Sequence, residues 1–83
     1  MIEVTLETTT RYVRAYDRED VIDLLGEADG ALSRGEYETM SDAGLAQALH
    51  DVLDGYDLGV NEHVIADMGT SDDARDVWTV EAR

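Results

Sequence analysis

The sequence contains no cysteine, no proline and no phenylalanine, and its six basic residues are all arginine, so lysine is missing too. Without cysteine there is no disulfide framework and no thiolate site for zinc or redox chemistry, which points to a chain working in a reducing interior. Without proline there is no Pro-rich linker. No segment is Ser-rich and no internal repeat is visible, so residues 1–83 are read as a single acidic α+β domain. Long apolar runs are absent as well. Residues 1–15 carry Glu3 and Glu7, with Arg11 and Arg14 coming late, and no stretch there reaches the length of a signal-peptide core or a membrane span. The expected address is cytoplasmic.

What is abundant is negative charge. Twenty acidic residues against six basic ones give a formal net charge of −14. An acidic surface of this strength repels DNA, RNA and anionic membranes and attracts basic protein surfaces. Direct nucleic-acid binding and membrane binding are therefore disfavoured. Apolar residues form 43% of the chain, and with Phe absent the large core candidates are Trp78, Tyr12, Tyr16, Tyr37 and Tyr56. A chain of this size supports one core and little room for a deep cleft.

Ile2, Val4 and Leu6 alternate with Glu3, Thr5 and Glu7, a period of two that predicts a strand. Arg11 to Tyr16 alternates again. Thr8-Thr9-Thr10 lacks the Gly, Asn or Asp of a tight primed turn, which leaves a looser hairpin or one long bent strand open. At Asp17 the period changes: Val21, Leu25, Ala28 and Leu32 lie on one helical stripe, with Asp17 as N-cap and Glu19 and Asp20 suited to the helix dipole. Gly26 and Gly30 weaken that helix, so it ends or bends near Gly26 or runs on to a stop at Arg34-Gly35. Glu36 to Met40 has no decisive period. Ser41 then caps a second helix carrying Leu45, Leu49, Val52 and Tyr56, with Gly55 at its end.

Val60, Val64, Ala66 and Met68 are read as a third strand, residues 69–74 as a polar turn, and Val77 to Ala82 as a fourth strand with Trp78 and Val80 on one face. The expected fold is α+β: a small antiparallel sheet of three to four strands with two helices on one face, in the order β-β-α-α-β-β.

No catalytic motif emerges. His50 sits beside Asp51 and next to the apolar stripe, and reads as a surface or boundary residue. His63 follows Glu62, but no second histidine lies four residues on, so the zinc-protease pattern is absent. Asp51, Asp54, Asp57 and Glu62 bunch around Gly55 and Gly59. Matched to a calcium loop with Gly55 at its glycine position, they leave His50 and Val52 where ligands belong. Gly26 and Gly30 have a membrane-packing spacing inside an acidic, non-spanning segment. Ser33, Ser41 and Ser71 lie in no nucleophile elbow. No cofactor and no resident metal are expected.

The acids themselves are the remaining candidates. Glu19, Asp20, Asp23 and Glu27 recur at helical spacing on the first predicted helix, and Asp51, Asp54 and Asp57 at threes on the second. Like charges at these spacings cost an isolated helix about 0.2–0.5 kcal/mol per pair, with Arg18 the one basic residue seen near the first set. Two such ridges would make a rigid negative surface on the scale of a nucleic-acid groove. The expected partner is a basic surface of a nucleic-acid-binding protein, which carboxylates would engage in place of phosphate. Tyr37, between Glu36 and Glu38, is the candidate aromatic anchor of that interface, whereas Tyr56 is read as core.

In size, charge and lack of catalytic motifs the chain resembles, as a class, the small phage-encoded inhibitors of host defence and repair: anti-restriction proteins, anti-CRISPR proteins and the uracil-DNA glycosylase inhibitor. The resemblance lies in composition over the whole chain and implies a DNA mimic that is not an enzyme. One alternative is a small housekeeping domain of a halophilic or GC-rich host, its charge serving solvation and an exposed sheet edge permitting a homo-oligomer. A small two-carboxylate hydrolase is the other alternative.

Overall fold

The computed structural model describes residues 1–8, 10–69 and 77–83. Its elements are β1 (Ile2–Glu7), β2 (Arg11–Tyr16), α1 (Arg18–Gly26), α2 (Arg34–Glu38), α3 (Asp42–Asp54), α4 (Leu58–Asp67) and β3 (Val77–Ala82). The fold is α+β. The three strands form an antiparallel sheet in the order β2-β1-β3, so the first strand is central.

The alternation in β1 sets the two faces of that sheet. Ile2, Val4 and Leu6 are each 0% exposed, and the register puts them beside Tyr16, Arg14 and Tyr12 on one side and Ala82, Val80 and Trp78 on the other. The helices cover this face. Helix α3 lies against β3 and α1, and contributes Leu45, Ala46, Leu49 and Leu53 to the core. Helix α1 contributes Val21, Ile22, Leu24 and Leu25. The opposite face carries Glu3 and Thr5 of β1 with Thr79 and Glu81 of β3, and it exposes Val13 and Val77. Strands β1 and β2 form a hairpin, not one bent strand: Glu7 pairs with Arg11, and the Thr8 N–H donates to the Thr10 carbonyl at 2.9 Å.

The caps at Asp17 and Ser41 form as their spacing implies, with side chains accepting from the N–H groups of Asp20 and Gly44 at 2.9 and 3.1 Å. Helix α1 ends at Gly26. Arg34 and Gly35 do not stop it: they open α2, a separate helical turn capped by Ser33, and Leu32 is left 48% exposed instead of joining a stripe.

The strand expected over Val60, Val64, Ala66 and Met68 is helix α4. Two patterns overlap in this segment, and the helical one prevails because Val60, Asn61 and Val64 bury together while Ile65 and Met68 pack at the edge of the core. Asp57 caps it. Its carboxylate accepts from the Val60 N–H at 3.2 Å, and the Asn61 amide donates to the Leu53 carbonyl at 3.0 Å, which ties α4 to the end of α3. The fourth predicted strand is thus β3. The polar turn predicted over residues 69–74 lies, apart from Gly69, outside the described residues.

Trp78 is 5% exposed on the helix-covered face, and its Nε1–H meets no acceptor among the described residues. Trp78→Ala is expected to cost about 3–5 kcal/mol, a large part of the stability of a small domain. Trp78→Phe should cost less than half as much, because it also removes the unpaired donor. Urea unfolding of the two variants checks both the size and the order of the effects.

Candidate functional site

The structure divides the acidic residues expected to act together. Glu19, Asp20 and Asp23 lie along α1 and Glu27 caps its C-terminal end, Asp51 and Asp54 lie on α3, and Asp57 stands beyond α3 as the cap of α4. Since α1 and α3 pack side by side, the first two groups occupy neighbouring helices. Glu19, Asp23 and Asp51 are well exposed, at 67, 67 and 68%.

The α1 ridge is not bare charge, because Arg34 reaches back from α2. Its guanidinium pairs with Asp23 at 2.7 Å, Glu38 at 3.0 Å and Glu19. The bond to Asp23, then the neighbouring carboxylates, holds Arg34 still more firmly protonated than a free arginine. Arg18 points the other way, to Asp42 at 2.8 Å and to the carbonyls of Glu38 and Met40. Glu27 meets His63 Nδ1 at 3.0 Å. Among the described residues, no ion pair reaches Asp20 or Asp54.

Tyr37, expected as the aromatic anchor of an interface, is buried instead. It is 5% exposed, and its hydroxyl accepts from the Leu32 N–H at 3.0 Å, because the short turn of α2 directs the ring inward while Glu36 and Glu38 face out. Tyr56 is the reverse case: expected in the core, it is 47% exposed. Helix α3 ends in a Schellman arrangement, with the Tyr56 N–H on the Leu53 carbonyl at 3.1 Å and the Asp57 N–H on the Val52 carbonyl at 3.3 Å. The residue in the left-handed conformation is Tyr56, at φ 55°, where glycine is the usual occupant. Gly55 precedes it and serves a different need, since a Cβ there would lie 3.1 Å from the Asp51 carbonyl oxygen.

This chain reversal builds an open cleft of about 550 Å³ between the end of α3, the start of α4 and the residues after α1. Asp51 and Asp57 line it, joined by Asp29, which the sequence reading missed. Ala28, Val52, Tyr56 and Leu58 supply apolar wall, and among the described residues no basic side chain lines it. Asp57 has both oxygens occupied, by the Val60 N–H and by the Asp29 N–H at 2.8 Å. The Asp29 bond, then the helix cap, holds its carboxyl below the ordinary aspartate range. Asp51 accepts from Gln47 at 2.9 Å. The signal that could have exposed Asp57 is its position three residues before Val60, where the buried face of α4 begins.

A second cluster joins three elements. The Tyr16 hydroxyl donates to Asp67 at 2.7 Å, His63 Nε2 stands 3.7 Å from the same oxygen, and His63 Nδ1 faces Glu27. Burial and the Asp67 carboxylate push the Tyr16 phenol well above its usual range, so it is deactivated as a nucleophile or base. The cluster ties β2, α4 and the C-terminal end of α1 together. Among the described residues, no group of three or more His, Asp and Glu side chains is arranged to hold a metal ion, and no helix is long and apolar enough to cross a membrane. Compared with protein-family models, with curated sequences and with solved structures, the chain matches none.

Two outcomes follow from the reversal at residues 55–57. Asp57→Ala should lower the melting temperature by several degrees at neutral pH, more than Asp54→Ala, because it frees two N–H groups. A carboxyl held low in the fold contributes stability above its unfolded value and loses it as pH falls through the folded one. The gap between Asp57→Ala and the parent protein should therefore narrow in acid melts. Tyr56→Gly should stabilise the protein by about 1 kcal/mol in urea unfolding, since it relieves the left-handed backbone.

Proposed function

We propose that this protein is a non-catalytic inhibitor that works in the cytoplasm and occupies a basic, nucleic-acid-binding surface of a partner protein, as a mimic of the nucleic-acid backbone. The observation that carries this reading is the pair of acidic helix faces on packed neighbours, α1 and α3, within a lysine-free chain of net charge −14. Arginine and lysine side chains that grip phosphate pair equally with carboxylates, and a folded scaffold presents those carboxylates with little ordering cost on binding.

Within this reading the acids are not equivalent. Asp20 on α1 and Asp51 and Asp54 on α3 have no arginine partner among the described residues, so they meet a cationic surface at full charge. Glu19 and Asp23 share Arg34, which fixes their positions and lowers their net charge. Tyr37 is withdrawn from the binding set on account of its burial.

The opposing reading is solvation in strong salt, and the acids on the open sheet face, Glu3, Glu7 and Glu81, favour it because they lie away from α1 and α3. The two readings separate in one assay series. The purified protein is added at about 0.1 M salt to DNA-binding assays of a CRISPR nuclease, a restriction endonuclease and a uracil-DNA glycosylase. Mimicry predicts that the protein stays folded, that at least one enzyme loses DNA binding, and that added duplex and added salt restore it. Asp20→Lys combined with Asp54→Lys should weaken that inhibition by well over about tenfold while leaving the circular-dichroism spectrum unchanged. Inhibition unaltered by the charge reversals, or unfolding on removal of salt, would favour solvation instead.

A further inference from the structure

We infer that the cleft between the end of α3 and the start of α4 is the docking site for an arginine-bearing, partly apolar segment of the partner protein. This rests on the reading that the partner is basic, and it moves the point of specific contact from the α1 ridge to the cleft.

Three features of the cleft select this occupant. The first is its field: Asp29 and Asp51 line it, α3 ends at it with no basic residue in its last turn, and the positive end of α4, which also borders it, is offset by its cap Asp57. An anionic ligand, and a second copy of a chain of net charge −14, are both repelled. The second is its wall. Tyr56 and Leu58 are 47 and 59% exposed beside Ala28 and Val52, an apolar surface unusual on so acidic a protein. A strongly hydrated ammonium gains little against such a wall, whereas a planar guanidinium is weakly hydrated and stacks on an aromatic face.

The third is the occupancy of the acids. Asp57 is consumed by backbone N–H groups, which leaves Asp51, anchored through Gln47, and Asp29 to receive the cation. Tyr56 holds a backbone conformation that glycine would adopt at lower cost, so the chain reversal itself does not call for its ring.

The test is a nuclear magnetic resonance titration of the ¹⁵N-labelled protein at about 0.1 M salt. The probe is a blocked Leu-Arg-Leu tripeptide, with lysine and citrulline counterparts. Saturable shifts confined to residues 28–29 and 51–59 are expected for the arginine peptide, severalfold weaker binding for lysine, and none for citrulline. Tyr56→Gly should fold normally yet weaken the arginine peptide by about tenfold, and Asp51→Asn should weaken it without moving the apolar wall. Cleft-confined shifts in a protein that inhibits no nucleic-acid enzyme would support the cleft while removing the mimicry reading. Shifts spread equally over α1 and α3, and unaffected by Tyr56→Gly, would overturn the cleft and leave the acidic surface as the binding element.

Discussion

Every element of this fold is held in place against the mutual repulsion of its own carboxylates. A net charge of −14 on 83 residues opposes compaction throughout, and without lysine the usual abundant counter-charge is missing. The available cations are therefore used as cross-links. Arg34 gathers Glu19, Asp23 and Glu38 from two helices; Arg18 joins α1 to Asp42 and to the carbonyls of Glu38 and Met40; Arg83 meets Glu3 and Glu81 across two strands. Exposed ion pairs contribute at most about 1 kcal/mol each, so their value lies in placing charges where they repel least. Backbone donors take up other acids: Asp17 and Asp57 cap helices, where the positive end of the dipole favours them. The rest of the opposition is met by a small, dry core built on Ile2, Val4 and Leu6.

Much of that core was readable from periodicity. The alternation of β1, the caps at Asp17 and Ser41, the burial of Leu45 and Leu49 on α3 and the burial of Trp78 all follow from local patterns that agree with the tertiary structure. Helix α4 did not, because Val64, Ala66 and Met68 satisfy a period of two while Val60, Asn61 and Val64 satisfy a helix, and β-branched residues favour the first reading. The deciding evidence is a buried asparagine bonded to Leu53, a contact eight residues away that no periodicity expresses. Tyr37 and Tyr56 exchanged places for a similar reason. The one-turn helix α2 and the left-handed residue after α3 are each set by the direction in which the chain must leave, and flanking acids do not report that direction.

The candidate site was legible only in its chemistry. The acids on α1 and α3 could be named from spacing, but their inequality could not. Arg34 lies eleven residues from Asp23 and fifteen from Glu19, and it reaches them because α2 folds back. Asp51 and Asp57 share a cleft with Asp29 because a single chain reversal turns α3 into α4 beneath the residues that follow α1. An acidic surface thus resolves, among the described residues, into carboxylates paired with arginine, carboxylates that cap helices, and carboxylates with no arginine partner.

The placement of β1 at the centre of the sheet, paired with β3 through Ile2 and Ala82, has a consequence for assembly. The hairpin and the helices are synthesised first, while one flank of β1 waits for a partner about 80 residues downstream. Contacts of such sequence separation close slowly, and until they close the central strand presents an unpaired edge to any extended chain nearby. Two nascent copies in that condition carry the same dense negative charge and repel each other. That repulsion opposes the edge-to-edge pairing to which incompletely folded sheets are prone.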